Sequence, residues 1–413
     1  VGESWRMTPS NPFSNDPRVR FLIDLGRALH SYGIPAHRLE DALSNAASRL
    51  GITAAFFSSP TSLISSFGEV GQQHTALSRV APGQVQLDKL VALDDVVEAL
   101  YRQEISVEVA DRRLHEIDSA PACYGGLATI VAFGVASGTV SRFFGGGYTE
   151  MAVGLSLGLV TGIFAVLADR SLTIGRIFEF LAASVVTFLA VAMASLACPV
   201  ATAPVIIASL IVLLPGLSLT LALNELGTGH LVSGTARMSG TVMTFMKIGV
   251  GAAVGRQVAG FLPGDPLDTV PEPAAAWTLW VALLVTPVAL GVLFRARRRD
   301  IPWIGLGTFV AYWGSHYGVA WLGSFLGAAT GAFLSGLTAN LYARWRRRPA
   351  VVLAMPSLIL LVPGSLGYHS LTLMLQNDVI TGVDTAVTTV LVGVSLVAGL
   401  LLSNVLLPPR NAL

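Results

Sequence analysis

Lysine occurs twice in this chain, against 24 arginines, and one of the two lies in an apolar stretch. Lys247 is nine residues from Met238 and nine from Arg256. If that stretch crosses a bilayer, its ammonium group sits near mid-depth, where an unpaired charge costs ~2.5 kcal/mol or more. A lysine pKa falls on burial, so such an amine can bind a carboxylate or carry a proton. The competing reading is a lysine that snorkels, or pairs structurally with an acid such as Glu179; its central position works against snorkelling.

A second signal is a repeated dipeptide. Leu213-Leu214-Pro215-Gly216 and Leu361-Val362-Pro363-Gly364 are both set in apolar sequence, and each follows an earlier proline, Pro204 or Pro356. Proline inside a helix removes one backbone hydrogen bond and clashes with the preceding turn. In a bilayer the freed groups must face protein, water or a ligand. Broken helices offer N-termini to carboxylates and free carbonyls to ammonium groups. An amino acid carries both charges. The alternative is a kink that serves packing alone.

Other polar residues interrupt apolar runs. Glu179 falls near the start of one run, while Asn224 and Glu225 follow another, with Thr220 about one turn before Glu225 and His230 after it. Glu225 could accept a proton or a substrate ammonium group, or be a solvated helix end. Glu150 and Asp384 read as solvated or capping residues. His369, beside Tyr368, follows the second Pro-Gly, and His316 lies in another run. Imidazole titrates near neutral pH, as proton coupling requires. A lone histidine in an apolar helix more often makes a structural hydrogen bond. Asn340 and Asn404 read as helix–helix hydrogen bonders. Gly323, Gly327, Gly331 and Ser335, at four-residue spacing, read as a close-packing face.

The elements that must position these residues follow from charge. Residues 1–118 hold 26 of the 51 charged side chains, and the rest are clustered between long uncharged runs. Phe180–Asn224, Ile301–Ala343, Pro349–Asn377 and Thr385–Pro409 contain no Asp, Glu, Lys or Arg. A bilayer can cover that much apolar surface, at ~20 residues per crossing helix. Mean hydropathy of +0.66 agrees. The fold class expected is a polytopic α-helical membrane protein with ten spans. They fall near 121–141, 151–168, 177–197, 201–223, 238–256, 276–294, 302–318, 321–343, 350–373 and 385–407. Arg170, Arg176, Arg237, Arg295, Arg297–Arg299, Arg344, Arg346–Arg348 and Arg410 share one side. Arg142, Arg256 and the acidic loop with Asp265, Asp268 and Glu272 share the other. The positive-inside rule then puts both termini in the cytoplasm. Five spans followed by five more make an inverted repeat. The Pro-Gly echo occupies the fourth place in each half.

The N-terminal quarter reads α-α-β-β-β-α-α, a small α+β cytoplasmic domain. Pro17–Tyr32, Pro35–Leu50, Leu87–Gln103 and Val107–Ile117 have helical spacing, the last capped by Ser106. Ile52–Ser58, Ser62–Phe67 and His74–Val80 read as strands. The divisions are a flexible lead-in at 1–16, the cytoplasmic domain at 17–118, repeats at 119–258 and 276–413, and an extracytoplasmic linker at 259–275. No signal peptide is recognised at the start. Cys123 and Cys198 read as small apolar side chains. His30, His37, His74, His115, Ser59 and Asp24 show no nucleophile-elbow, metal-ligand or phosphate-loop spacing. No cofactor or metal is expected. A net charge of +1 argues against nucleic acid.

Particular residues carry a family resemblance. In the N-terminal part they are Leu25-Gly26-Arg27-Ala28-Leu29, Tyr32-Gly33-Ile34-Pro35-Ala36-His37-Arg38-Leu39-Glu40, Leu50-Gly51 and Ser59-Pro60-Thr61-Ser62. In the membrane part they are Phe144-Gly145-Gly146-Gly147, Pro215-Gly216, Ser233-Gly234-Thr235-Ala236-Arg237 and Pro363-Gly364. With these the chain resembles the threonine/serine exporter family of bacterial inner membranes. The resemblance covers nearly the whole chain. It implies export of small hydroxy amino acids, threonine and serine, driven by the proton gradient across the plasma membrane. A split-gene branch is similar and is associated with succinate, so dicarboxylate export is the alternative substrate reading.

Three function classes follow: a proton-coupled exporter, a membrane-anchored enzyme with a catalytic N-terminal domain, and a channel. Ten spans exceed what an anchor needs, and no selectivity-filter sequence appears. The exporter reading, not an enzyme, is therefore preferred. Its expected partners are a small solute, protons and the lipid bilayer; a homo-oligomer is compatible with it. The expected substrate-binding or coupling residues are Glu179, Pro215, Gly216, Thr220, Asn224, Glu225, Lys247, Pro363, Gly364 and His369.

Overall fold

Asp16 opens the first helix by accepting a hydrogen bond from the Arg18 amide at 2.9 Å, with Pro17 at its first position. The computed structural model describes residues 16–409 apart from 70, 82, 197, 198, 265, 266 and 268. The 1–16 lead-in up to residue 15, Cys198, Asp265, Asp268 and Arg410 lie outside the described residues. Helix α1 (Pro17–Ser31) buries Phe21, Leu22, Leu25 and Leu29 completely. Gly33, at φ +80°, turns the chain into α2 (Ala36–Arg49). Strands β1 (Ala54–Ser59), β2 (Ser62–Phe67) and β3 (His74–Arg79) form an antiparallel sheet in sequence order. Ser59 pairs with Ser62 across the tight Pro60-Thr61 turn. Helices α3 (Leu87–Tyr101) and α4 (Val107–Ser119) follow, the latter capped by the Ser106 hydroxyl. The element order matches the pattern read from the sequence.

The remaining elements are helical. They are α5 (Gly126–Phe143), α6 (Tyr148–Arg170), α7 (Leu172–Leu196), α8 (Thr202–Leu210), α9 (Gly216–Gly227) and α10 (Leu231–Ala259). Then come α11 (Trp277–Leu293), α12 (Ile301–Arg346), α13 (Val351–Leu358), α14 (Gly364–Leu375) and α15 (Val379–Leu406). Among the described residues, five helical stretches are long and apolar enough to cross a membrane. They are Gly126–Phe143, Tyr148–Arg170, Thr173–Leu196, Arg298–Arg346 and Val379–Leu406.

Small residues set the packing of paired helices. A Cβ on Gly154 of α6 would meet the Ser141 hydroxyl of α5 at 2.2 Å, and one on Gly158 would meet that of Ser137 at 2.5 Å. Helix α12 turns back on itself at Gly323, where φ is +83° and ψ is 173°. Its two arms touch through Gly318 against Gly327 and Gly331 against Ser315. This corrects the reading of Gly323 as a packing residue. A Cβ there would meet nothing within 4 Å, and the positive φ is what requires glycine. Ser335 bonds Ser357 of α13 at 2.7 Å, and Asn340 donates to Asn404 at 2.9 Å, as the helix–helix reading expects.

The sequence segments 201–223 and 350–373 each hold two helices with a turn between them. Pro215 (φ −80°, ψ 41°) and Pro363 (φ −81°, ψ 38°) have nearly the same non-helical backbone. The turns match as well: the Leu213 and Leu361 amides each donate to a carbonyl three residues back, at 2.8 Å. Beyond them, α9 packs on α10 and touches α15, and α14 packs on α15 and touches α10.

Elements 17–119 are not set apart from the helices that follow. Leu87, Leu90 and Leu93 share one apolar core with Leu290, Phe294, Ala296, Val351 and Met355. The Leu87 and Asp88 amides donate to the Phe294 and Arg295 carbonyls, both at 3.0 Å. Cys123 is exposed and its thiol donates to the Asp88 carboxylate at 2.8 Å, so its reading as an apolar side chain within a helix is corrected.

Candidate functional site

The two Pro-Gly turns touch. A Cβ on Gly216 would come within 2.9 Å of the Gly364 nitrogen, and one on Gly364 within 3.2 Å of the Gly216 Cα. Only glycine allows this backbone approach. Gly216 and Gly364 are also the first residues of α9 and α14, so two helix N-termini converge on one point. Each helix contributes the equivalent of about half a positive charge there. Thr220 is buried, and its hydroxyl donates back to the Gly216 carbonyl at 3.1 Å. It thus satisfies the loosened turn and has no free donor to offer a ligand.

A cavity of about 650 Å³ runs from the Pro215 turn to the N-terminal elements. Pro215, Ser218, Leu214 and Ile359 line it from the broken helices. Asp169, Glu179 and Arg237 line it from α6, α7 and α10, and Arg295 from the turn after α11. His30, Gly33, Pro60 and residues 83–85 of the N-terminal part line it too. Opposite charges therefore face one small space, as a zwitterion requires.

Lys247 and Glu179 are partners. Lys247 Nζ lies 3.5 Å from a Glu179 oxygen and 3.3 Å from the Arg176 carbonyl. Their side chains are 31% and 23% exposed, and the contact is the pairing with Glu179 that the sequence reading held as its alternative. The pair has one contact, and Glu179 keeps a place on the cavity wall.

Glu225 is different. It is fully buried. Arg237 donates to its two oxygens at 2.9 and 2.8 Å, the Ser233 hydroxyl at 3.1 Å and the Ala36 amide at 3.1 Å. Four donors occupy the carboxylate. This corrects the expectation of a solvated end or of an acceptor open to a substrate ammonium group; the side chain instead ties α9 and α10 to the start of α2. Asn224 lies beside it, with its amide nitrogen 3.4 Å from His37 Nε2. His230 sits 3.4 Å from Glu40 and faces the His37 ring at 5.9 Å between centroids. Burial lowers the His37 pKa to about 4, helped by Arg38. Burial also raises the Glu40 carboxyl above its usual range.

Other expected residues lie elsewhere. His369 is exposed while Tyr368 beside it is buried. The helix rotates the imidazole away from the break, so the two are not brought together. His316 is exposed beside Tyr312 and Trp313. Glu150 is 5% exposed and accepts from the Gly147 and Ala201 amides, which makes it a buried cap rather than a solvated end. Asp384 is exposed but lies inside α15, which starts at Val379.

Sequence reading missed His37, Glu40, Arg237 and His30 as members of these clusters. The first three fall in segments quoted for other reasons. Their meeting depends on α2 docking against α9, which no local spacing records.

Comparison with known proteins places the chain. A family model described as "Putative threonine/serine exporter" matches residues 20–259. A second, "Threonine/Serine exporter, ThrE", matches residues 279–406. "Pheromone-regulated membrane protein 10" of Yarrowia lipolytica is 29% identical over 378 residues, covering 87% of this chain and 31% of that protein. The protein of the same name from Eremothecium gossypii is 27% identical over 388 residues, covering 90% of this chain and 52% of its own length. The chain spans about half the length, or less, of these curated relatives. No solved structure matches. With matches that run from its first helix to its last, the chain belongs to the threonine/serine exporter family.

Proposed function

We propose that the protein exports threonine and serine by exchange against protons. In this reading it spans the plasma membrane ten times as two inverted five-helix repeats, and both termini are cytoplasmic. Residues 17–118 form the cytoplasmic domain and 259–275 the extracytoplasmic linker. The observation that carries the reading is the contact of two matched helix breaks, Gly216 on Gly364, beside a cavity lined by both signs of charge. The near-equal backbone at Pro215 and Pro363, the matched contacts of α9 with α15 and of α14 with α10, and the fold-back of α12 at Gly323 support the repeat and the span count. The arginine clusters support the orientation.

The substrate carboxylate is held at the positive helix ends next to Pro215, and its ammonium group at Glu179. Lys247 occupies Glu179 when no substrate is bound, and the exchange of one ammonium for another links loading to the charge state of this pair. Rocking of the halves about the Gly216–Gly364 contact then changes the open side. Purified protein in liposomes tests this. Saturable counterflow of labelled threonine, accelerated by an imposed pH gradient, is expected. Pure channel flux without counterflow would overturn the carrier reading, and succinate counterflow without threonine counterflow would overturn the substrate.

A further inference from the structure

Helix α12 ends beside where it begins. Its arms, before and after Gly323, are each about 33–35 Å long at 1.5 Å per residue, enough to cross a bilayer once. They lie against each other, so both ends come to one surface. There the flanking turns meet. Asp95 of α3 accepts from Arg348 at 2.6 Å and lies 3.7 Å from Arg297. The Tyr342 hydroxyl donates to the buried Asp300 at 3.4 Å. Residues 297–299 and 344–348 thus make one basic patch from two stretches of sequence.

The patch is only partly neutralised. Asp95 is shared between two arginines, and Asp300 faces inward to Tyr342. Arg298, Arg299 and Arg347 are exposed and, among the described residues, make no side-chain hydrogen bond or ion pair. Arg344 donates to the Pro408 carbonyl, and the Arg346 guanidinium lies 5.5 Å from the centre of the Trp303 ring. Burial and then the like charge of Arg299 lower the Arg297 pKa, against the pull of Asp95. Trp303 packs on Tyr342 and on Trp345, at 5.5 Å between centroids in both cases. Farther along the arms Leu306 and Leu341 are exposed, and no charged residue occurs from 301 to 343. Guanidinium groups, indoles and an open apolar face therefore follow one another, in the order of the headgroup, interface and acyl chains of a phospholipid. Orienting the chain requires only that arginines lie on one side. It does not require two turns gathered round one pair of indoles.

We propose that this patch binds the phosphodiester headgroup of an anionic phospholipid, whose acyl chains lie along the exposed face of α12. Arginine suits the task, because its planar fork donates two hydrogen bonds to one phosphate. The unpaired guanidinium groups of both turns hold the headgroup, and the exposed Trp345 ring covers the glycerol region beneath it. The proposal rests on α12 crossing a membrane, as in the reading above. It is independent of the solute carried and of the side on which the patch lies.

The test uses the full-length protein, delipidated in detergent micelles, where orientation in a membrane plays no part. Dioleoyl phosphatidylglycerol or dioleoyl phosphatidylcholine is added, and the unfolding midpoint is followed together with lipid retained in native mass spectra. Phosphatidylglycerol is expected to raise the midpoint and stay bound, and phosphatidylcholine with the same chains is not. Arg298→Gln/Arg299→Gln and Arg346→Gln/Arg347→Gln, one pair from each turn, should each weaken phosphatidylglycerol binding about tenfold. Arg112→Gln/Arg113→Gln removes the same charge from the exposed face of α4 and should bind as wild type does. The two pairs are independent, so one that fails to fold leaves the other to carry the comparison. Equal binding of both lipids by wild type overturns the proposal without any variant. So does an equal loss in the α4 variant, which would make the attraction one of net charge. A midpoint shift from inorganic phosphate alone, as large as that from phosphatidylglycerol, would make the patch a free-anion site and overturn the lipid assignment. None of these outcomes touches the exporter reading, which stands or falls on threonine counterflow.

Discussion

The first residue of α9, Gly216, lies against the first residue of α14, Gly364, so that a methyl group on Gly216 would overlap its neighbour and one on Gly364 would crowd it. Residues from the first and the second half of the helical part thus share one backbone contact. Gly216→Ala must part the two turns, and Gly364→Ala must press on them. Each is expected to destabilise the protein by about 1–3 kcal/mol and to lower transport at least tenfold, measured by thermal unfolding and counterflow on the same preparations. Normal counterflow in both variants would remove the contact from the mechanism.

The Glu225–Arg237 pair is expected to be structural. Glu225→Ala leaves a largely buried guanidinium unpaired and should cost about 3–5 kcal/mol. Replacing both residues by methionine should recover most of that loss. Recovery of stability with recovered transport confirms an anchor. Recovery of stability without transport would return Glu225 to the list of transport residues.

Lys247 and Glu179 are expected to behave in the opposite way. Lys247→Met should fold, since the pair is loose and partly exposed. It should lose the response of export to a pH gradient. Glu179→Gln should raise the threonine KM, and the double variant should stay inactive. Wild-type export kinetics in Lys247→Met across the pH range would sink the assignment, and restored transport in the double variant would make the pair structural.

Acid should loosen the junction between α2 and α9. His37 has a folded pKa of about 4 against an ordinary 6.5, because burial disfavours its charged form. Between those values the unfolded chain binds a proton that the folded chain refuses. Stability is therefore present above about pH 6.5 and is lost as pH falls towards 4, by about 3 kcal/mol at full effect. Glu40, raised by burial, works in the other direction but only as pH nears the carboxylate range. Unfolding midpoints of wild type and His37→Gln, taken from pH 7 to pH 4.5, check this. Parallel curves would show that His37 does not titrate with folding.

Orientation is the fifth expectation. Single cysteines at Glu272 and Arg298, in a background without Cys123 and Cys198, should react with an impermeant thiol reagent from opposite sides. Reaction of both from outside would reverse the arginine argument.

Much of this architecture is legible in residue order, because local rules produce it. Apolar spacing gives α1 and α2, the tight Pro60-Thr61 turn gives the β1–β2 hairpin, and Pro-Gly gives both helix breaks. The site is less legible. Whether Lys247 is alone or paired depends on which face of α7 meets α10. Thr220 and Glu225 read as open to a ligand, but the Gly216 carbonyl and four donors fill them. His369 follows a break yet points outward, because one residue along a helix is a rotation of ~100°. Contacts between distant segments decide each of these outcomes.

The bond from Arg295 to the Gln86 side chain joins residues 209 positions apart. The same turn supplies the carbonyls that hold Leu87 and Asp88, and the apolar patch under Leu90. During synthesis, then, α3 leaves the ribosome long before its seat exists. At 5–20 residues per second the delay is about 10–40 s. Through that time Leu87, Leu90 and Leu93 lack the part of their core that Leu290, Phe294 and Ala296 provide, while helices α5 to α11 are still being made. Chain elongation speed and holding chaperones therefore bear on the yield of this protein more than on its final stability. Slowed translation after α3 should increase loss of the chain to proteolysis without changing the molecule that survives.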